Sequence, residues 1–466
     1  MPDRTSRRPW AWALAGMCAL AWIVAVQWLD APGLLEARAS WWRVAVQLPA
    51  HLVALVAWWQ LGPGFRRPLT VGALWALPLM IALPMHSRDA YSYVAQGWLL
   101  GHGLSPYEVT SGAAGTVGLL VGIHWHQTTS VYPGFALLVF EGVDALWSPH
   151  VLGMIVGLRL VNVAAMALLA WMVAILARRR GVPRHTAWWL GVANPVLLVQ
   201  WVGGVHNDAV MVAFVAVALV LVQRRGVAAL VLGGVALGTA TGIKQSAALA
   251  GLGLVAVAWQ VRLDGHRRGW ARLGWTAVVP GLATIVTFLA WSFGSGLGLG
   301  WRGARAGNPI GASSNAPMSW IASFGRYHEL APDAVVNTVV TACSMLLVVL
   351  VIGALLVWIG PRGDRAGKPW LFLVLSLLAF GFVGPALQPW YVTWVIPFFA
   401  FVDARRWWRY AWWGLLLAFT ALPPLQDAIP PYVAMGVVAV PLAGLAWWWS
   451  STGGRTRSAG PPSALA

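Results

Sequence analysis

One carboxylate stands in the stretch of this sequence with the densest chemistry. In His86-Ser87-Arg88-Asp89-Ala90-Tyr91-Ser92-Tyr93, followed by Gln96-Gly97, Asp89 has a cation beside it and two phenols about one helical turn downstream. Only 14 of 466 residues are acidic. A carboxylate where an apolar segment runs out is therefore a candidate general base, able to take the proton of an attacking hydroxyl as the new bond forms. Three further polar groups interrupt apolar runs: Gly203-Gly204-Val205-His206-Asn207-Asp208, Lys244-Gln245 and Gln388-Pro389-Trp390-Tyr391. Arg302, Arg305, Asn308, Asn315 and Arg326 share a more polar stretch.

These residue types suit the transfer of a sugar from a polyprenyl phosphate to a hydroxyl. The leaving group is a phosphate anion, which needs cations rather than an acid; Lys244, Arg302 and Arg305 are candidates, with His206 beside them on the donor-phosphate side. Asp89 is the first choice of base and Asp208 the reserve. Arg88, Tyr91, Tyr93, Asn207, Asp208, Gln388, Trp390 and Tyr391 are candidates for holding sugar and acceptor. One base without a second, nucleophilic carboxylate implies inversion at the anomeric carbon. No His/Cys/carboxylate cluster has metal-ligand spacing, so neither metal nor cofactor is expected.

Each group has a plainer use. Asp89 could pair with Arg88, and Asn207 and Asp208 suit a helix N-terminus. The double glycine permits a tight backbone. Lys244 and Arg159 could snorkel outward from the ends of spans, and Trp390-Tyr391 alone is ordinary interfacial material.

The elements that must position these residues are membrane helices. Hydrophobic residues make up 59% and charged residues 10% of the chain, and apolar runs of about 18–25 residues recur, which fits an all-α polytopic membrane protein. Many of the 33 tryptophans are paired, as at Trp58-Trp59, Trp188-Trp189 and Trp412-Trp413, where indole favours the bilayer interface. The net charge of +17 lies in short clusters between apolar runs. That pattern orients a membrane protein and excludes a nucleic-acid groove. Cys18 and Cys343 fall inside apolar runs, so no disulfide frame is indicated.

Arg7-Arg8, Arg66-Arg67, Arg178 to Arg180, Arg224-Arg225, Arg262 through Arg272, Arg362 to Lys368, and Arg405 to Arg409 are placed on the cytoplasmic side. An even number of crossings between clusters gives about fourteen helices with both termini inside, the first retained rather than cleaved. Residues 1–450 form a single transmembrane domain, and 451–466 a disordered cytoplasmic tail. Two long loops, 85–150 and 294–333, fall outside. The first should carry interfacial helices at 90–101 and within Val131–Trp147, the latter disqualified as a span by Glu141, Asp144 and the orientation of Arg178 to Arg180. All the candidate groups then meet on the extracytoplasmic face of the plasma (inner) membrane.

The run Arg88-Asp89-Ala90-Tyr91-Ser92-Tyr93, with Gln96-Gly97 and Gly103-Leu104-Ser105-Pro106-Tyr107, resembles the first periplasmic loop of actinobacterial polyprenol-phosphomannose-dependent α-1,6-mannosyltransferases, the Mpt type. Asn194-Pro195, Gly204 to Asp208, Lys244 and Gln388 to Tyr391 continue the resemblance in order, between about residues 85 and 400. It implies a GT-C glycosyltransferase fold, an inverting mechanism and Asp89 as base. The implied donor is a polyprenyl-phosphomannose, and the acceptor a lipomannan-type mannan or glycolipid joined through an α-1,6 linkage. The sequence departs from the family pattern at Ser105, where an acid is expected before Pro-Tyr, and at Tyr132-Pro133-Gly134, in place of Tyr-Gly-Pro.

Two other classes compete. A secondary transporter or flippase of lipid-linked sugars would put its charged groups near the bilayer midplane, and a non-catalytic scaffold would have no use for Asp89, Asp208 and Lys244. A transferase using another polyprenyl-phospho-sugar, such as arabinose, would need much the same polar inventory.

Overall fold

A computed structural model describes residues 8–30, 39–262, 270–303, 314–359, 368–402, 406–426 and 428–453. Their regular secondary structure is entirely helical, with no strand among them. Helices α1 (Pro9–Asp30), α2 (Ala39–Leu61) and α3 (Pro68–Leu79) precede the first long loop. That loop holds α4 (Asp89–Gly101), the single turns α5 (Gly115–Gly118) and α6 (Ile123–His126), and α7 (Gly134–Trp147). Then come α8 (Val151–Arg180), α9 (Arg184–Gly191), the short α10 (Pro195–Leu197), α11 (Asp208–Val222), α12 (Val227–Ile243), α13 (Ala250–Arg262) and α14 (Trp270–Gly294). The last third contains α15 (Pro317–Tyr327), α16 (Asp333–Ile359), α17 (Lys368–Val383), α18 (Arg406–Gln426) and α19 (Pro431–Gly453).

Among the described residues, five helices are long and apolar enough to cross a membrane, within α1, α2, α8, α14 and α16; seven apolar helical stretches are shorter. Local sequence explains several of the short ones. The region after α9 breaks at Asn194-Pro195 and continues as a π-helical turn over Leu198–Gly203. The apolar stretch after Gln388 forms two 3-10 runs, Pro389–Trp394 and Ile396–Phe401. Pro389 and Pro397 each open one of them, and neither can donate to an α-helical ladder. Gly181, in the left-handed conformation (φ 65°), ends the thirty-residue α8 directly after Arg178 to Arg180.

The described arginine clusters mark one end of the bundle. Arg179 Nη1 donates to Val220 O at 2.6 Å, and Arg180 Nη2 to Phe401 O at 3.3 Å. The C-terminal ends of α8, α11 and the 389–401 segment thus lie together. Thr186 Oγ1 bonds Pro63 O at 2.9 Å, bringing the Arg66-Arg67 turn to the same end. Asp208 and Pro389 begin the segments that finish there, so they lie at the opposite end, about 22 Å away along the 15-residue α11.

At that far end α4 packs along α7. The fourteen residues of α7 are too few to span a bilayer. Gly97 makes the close approach possible: a Cβ there would lie 2.4 Å from Phe140 O. Gly97→Val should therefore force α4 from α7 and displace Asp89. The expected outcome is loss of activity with a fall in the thermal midpoint of about 1–3 kcal/mol equivalent, read by thermal unfolding in detergent.

Candidate active site

The site is assembled on a backbone that α8 holds open. Arg159, only 1% exposed, donates from Nε to Val202 O (2.8 Å), from Nη1 to Met80 O (3.2 Å) and from Nη2 to Gly203 O (3.1 Å). One helical turn on, Asn162 Nδ2 donates to Trp201 O (2.7 Å) and His206 O (3.1 Å). These bonds satisfy carbonyls of the π turn, of His206 beyond it and of Met80 at the end of α3, which a buried backbone requires. Arg159 therefore does not snorkel outward: it is the internal clamp on the loop that carries the site. Its replacement by Met would take a donor from the carbonyls of Val202 and Met80, Gly203 O keeping the Met85 N–H, and should lower unfolding stability by roughly 2–4 kcal/mol, measurable as a reduced denaturation midpoint in detergent.

The glycine pair behaves differently from the simplest expectation. Gly203 and Gly204 are needed for space, since a Cβ on either would fall 2.5 Å from Met85 Sδ or 2.8 Å from Gln200 O. The left-handed residue is Val205, at φ 62°, a strained conformation for a β-branched side chain. This kink delivers His206-Asn207-Asp208 to the N-terminus of α11. Asn207 occupies the N-cap position without making a side-chain cap bond. Its Oδ1 and Nδ2, and both ring nitrogens of His206, are buried without a protein partner. Buried polar atoms of that kind call for a bound water or a ligand.

Asp89 is the first residue of α4, and its residue is 7% exposed. Its Oδ1 accepts a hydrogen bond from Trp125 Nε1 at 2.8 Å, and its backbone N–H donates to Ser87 Oγ at 3.0 Å. Oδ2 faces His206, 3.9 Å from Nδ1. Burial pushes the Asp89 carboxyl above the usual carboxylate range, with Asp208 adding to the rise; the Trp125 and Ser87 hydrogen bonds and the Lys244 charge oppose it. Arg88 is exposed.

Asp208, by contrast, is fully buried and engaged on both oxygens. Lys244 Nζ lies 2.9 and 3.1 Å from its Oδ1 and Oδ2, and Trp394 Nε1 donates to Oδ1. The same ammonium sits 5.0 Å above the Tyr391 ring and 5.7 Å from that of Trp394. Lys244 is thus caged by a carboxylate and two aromatic faces, with 13% of its side chain exposed. Held this way, it is an oriented cation rather than a snorkelling one. Asp208 is thereby occupied on both oxygens by Lys244 and on Oδ1 by Trp394.

An aromatic floor joins the two halves. His206 stacks on Trp390 with centroids 3.9 Å apart at 18°, and Tyr391 stacks on Trp394 at 4.4 Å. Trp201 Nε1 donates to Thr393 Oγ1 at 3.0 Å, and that hydroxyl donates to Trp390 O at 2.5 Å, fixing the floor to the π turn. Gln388 precedes the 3-10 run, half-buried, its carbonyl accepting from Tyr391 N–H at 3.0 Å.

Other expected residues are more distributed. Tyr91 is half-buried beside Arg88. Tyr93 is 1% exposed and stacks on Phe140 at 4.8 Å, its hydroxyl bonded by that of Tyr132 at 3.2 Å; its place is in the α4–α7 packing. Arg302 is exposed on the turn Gly300–Gly303, whose first glycine lies against Tyr107. Arg305 and Asn308 lie outside the described residues. Trp125, Trp394 and Asn162 belong to the site although no motif pointed to them. Among the described residues, no group of three His, Cys, Asp or Glu side chains could hold a metal.

Residues 9–261 match the family described as alpha-(1->6)-mannopyranosyltransferase, N-terminal domain. The chain is 33% identical over 384 residues to alpha-(1->6)-mannopyranosyltransferase A of Mycobacterium tuberculosis, covering 76% of this chain and 70% of that protein. It is 30% identical over 360 residues to a probable alpha-(1->6)-mannopyranosyltransferase of Mycolicibacterium smegmatis, covering 69% and 63%. Alpha-(1->6)-mannopyranosyltransferase B of Corynebacterium glutamicum is 28% identical over 353 residues, covering 70% and 57%. The chain thus spans a little under two thirds of several of these relatives. No solved structure matches it.

Proposed function

This chain belongs to the alpha-(1->6)-mannopyranosyltransferase family, and from that premise we propose that it moves mannose from a polyprenyl-phosphate carrier to the hydroxyl of a mannan or glycolipid. The observation that carries the reading is the juxtaposition of opposite tools across His206. On one side Asp89 presents a buried carboxylate oxygen, and on the other Lys244 presents a caged ammonium. A sugar lying over Trp390 and Tyr391 would have its phosphate toward Lys244 and its anomeric carbon open to a hydroxyl held by Asp89. The carboxylate takes the hydroxyl proton, and the cation stabilises the departing phosphate. A single available carboxylate gives inversion at the anomeric carbon.

The separation from the arginine clusters supports an extracytoplasmic site. Those clusters would face the cytoplasm by the positive-inside rule, leaving the Asp89 end outside. It also weighs against a transporter, whose charged groups gather near mid-membrane. The test is direct. Purified protein in proteoliposomes is given polyprenyl-phosphomannose and a short α-mannoside, and the product linkage and anomeric configuration are read by NMR. An inverted, 1,6-linked mannose is expected. Substrate flux without transfer would indicate a transporter, and transfer from polyprenyl-phosphoarabinose alone would change the sugar.

A further inference from the structure

We propose that Trp125 is a positioning residue that selects Oδ2 of Asp89 as the oxygen receiving the acceptor's proton; this rests on the reading of Asp89 as base. Trp125 Nε1 donates to Oδ1 at 2.8 Å. An indole N–H is a donor only, so it holds an oxygen that accepts and cannot exchange roles with it. Oδ2 is left facing His206 and the unpartnered polar atoms around it.

The segment carrying Trp125 is built against the start of α4. Gly122 abuts Arg88, where an added Cβ would lie 3.1 Å from the Arg88 Cβ. The carbonyl of Gly122 accepts from Trp125 N–H at 2.8 Å, and Thr128 Oγ1 donates to Trp125 O at 3.1 Å. Ser111 N–H then donates to Thr128 O at 3.2 Å, and Gly112 packs against His126 with no room for a side chain. The indole is thereby held in place from both flanks.

In the transfer step the acceptor oxygen bonds to the anomeric carbon while the bond from that carbon to the phosphate oxygen breaks. The electron pair of that bond leaves on the phosphate, beside Lys244, and the hydroxyl proton moves to Oδ2. With Oδ1 bonded by the indole, Oδ2 is the oxygen left without a hydrogen bond, and it is the one turned to His206. The same hydrogen bond favours the ionised carboxylate against its burial.

The experiment measures kcat and KM against pH for the full chain in proteoliposomes, with polyprenyl-phosphomannose and a short mannoside. Two variants are compared: Trp125→Phe, and Trp125 replaced by benzothienylalanine, which keeps the bicyclic ring but puts sulfur where the N–H was. The acid limb of the rate profile should move up by about one pH unit, tenfold slower below it, with KM for the donor unchanged. A merely structural tryptophan would lower the folded fraction without moving that limb. An unmoved limb in the benzothienylalanine protein overturns the assignment of Trp125, whatever happens to the Phe variant. Full activity of Asp89→Asn in the same assay would overturn the base reading itself, so the two failures are distinct.

Discussion

Asp89→Asn should lower kcat by about two to four orders of magnitude while leaving the protein folded and its donor KM little changed. The substitution is nearly isosteric, and the amide oxygen can still accept from Trp125. What it removes is the capacity to take a proton. Because burial raises the Asp89 pKa, the wild-type profile should also have an acid limb above the ordinary carboxylate range. The ionised form is the active base, so activity falls as pH drops through that value. Turnover assays from pH 4 to 8 would show the limb in wild type and its absence in the Asn variant, and undiminished turnover by the variant would transfer the base role elsewhere.

Lys244→Met should be costly in two separable ways. Removing the ammonium leaves Asp208, which is fully buried, with Trp394 as its remaining partner. An uncompensated buried carboxylate destabilises by about 3–5 kcal/mol. Loss of the cation facing the leaving phosphate should lower kcat by a further factor of about 10²–10³. Adding Asp208→Asn to Lys244→Met removes the unpaired charge, so the thermal midpoint should recover much of its loss. Activity should not recover with it. If the double variant regained turnover as well as stability, Lys244 would be a structural partner of Asp208 and nothing more.

The polar clusters were legible in sequence because a membrane environment makes them so. Against runs of Val, Leu and Ala, a residue such as Lys244 or a run such as His206-Asn207-Asp208 stands out, and the structure brings both to the Asp89 end. Trp125 and Trp394 were not legible for the opposite reason. In a chain with 33 tryptophans, two more indoles carry no signal until their N–H groups are seen to point at carboxylates. Asp208 and Asp89 were also inseparable by type; only the structure shows that Lys244 pairs with Asp208, while Asp89 meets an indole N–H. Arg159 misled because a long cation inside an apolar helix usually reaches for water, whereas here two carbonyls of the π turn and one at the end of α3 lie at closer range. The helix boundaries around 184–204 and 389–401 follow from proline placement, but their conversion to π and 3-10 geometry depends on neighbours distant in sequence, such as Asn162 and Trp201.

The most direct test of one shared pocket is a ligand-bound map of Asp89→Asn with a non-transferable phosphonate analogue of polyprenyl-phosphomannose. The phosphonate should lie against Lys244 Nζ, the sugar over Trp390 and Tyr391, and its anomeric carbon on the side of residue 89 and His206. A phosphonate bound instead at the arginine end, beside Arg179 and Arg180, would contradict the account.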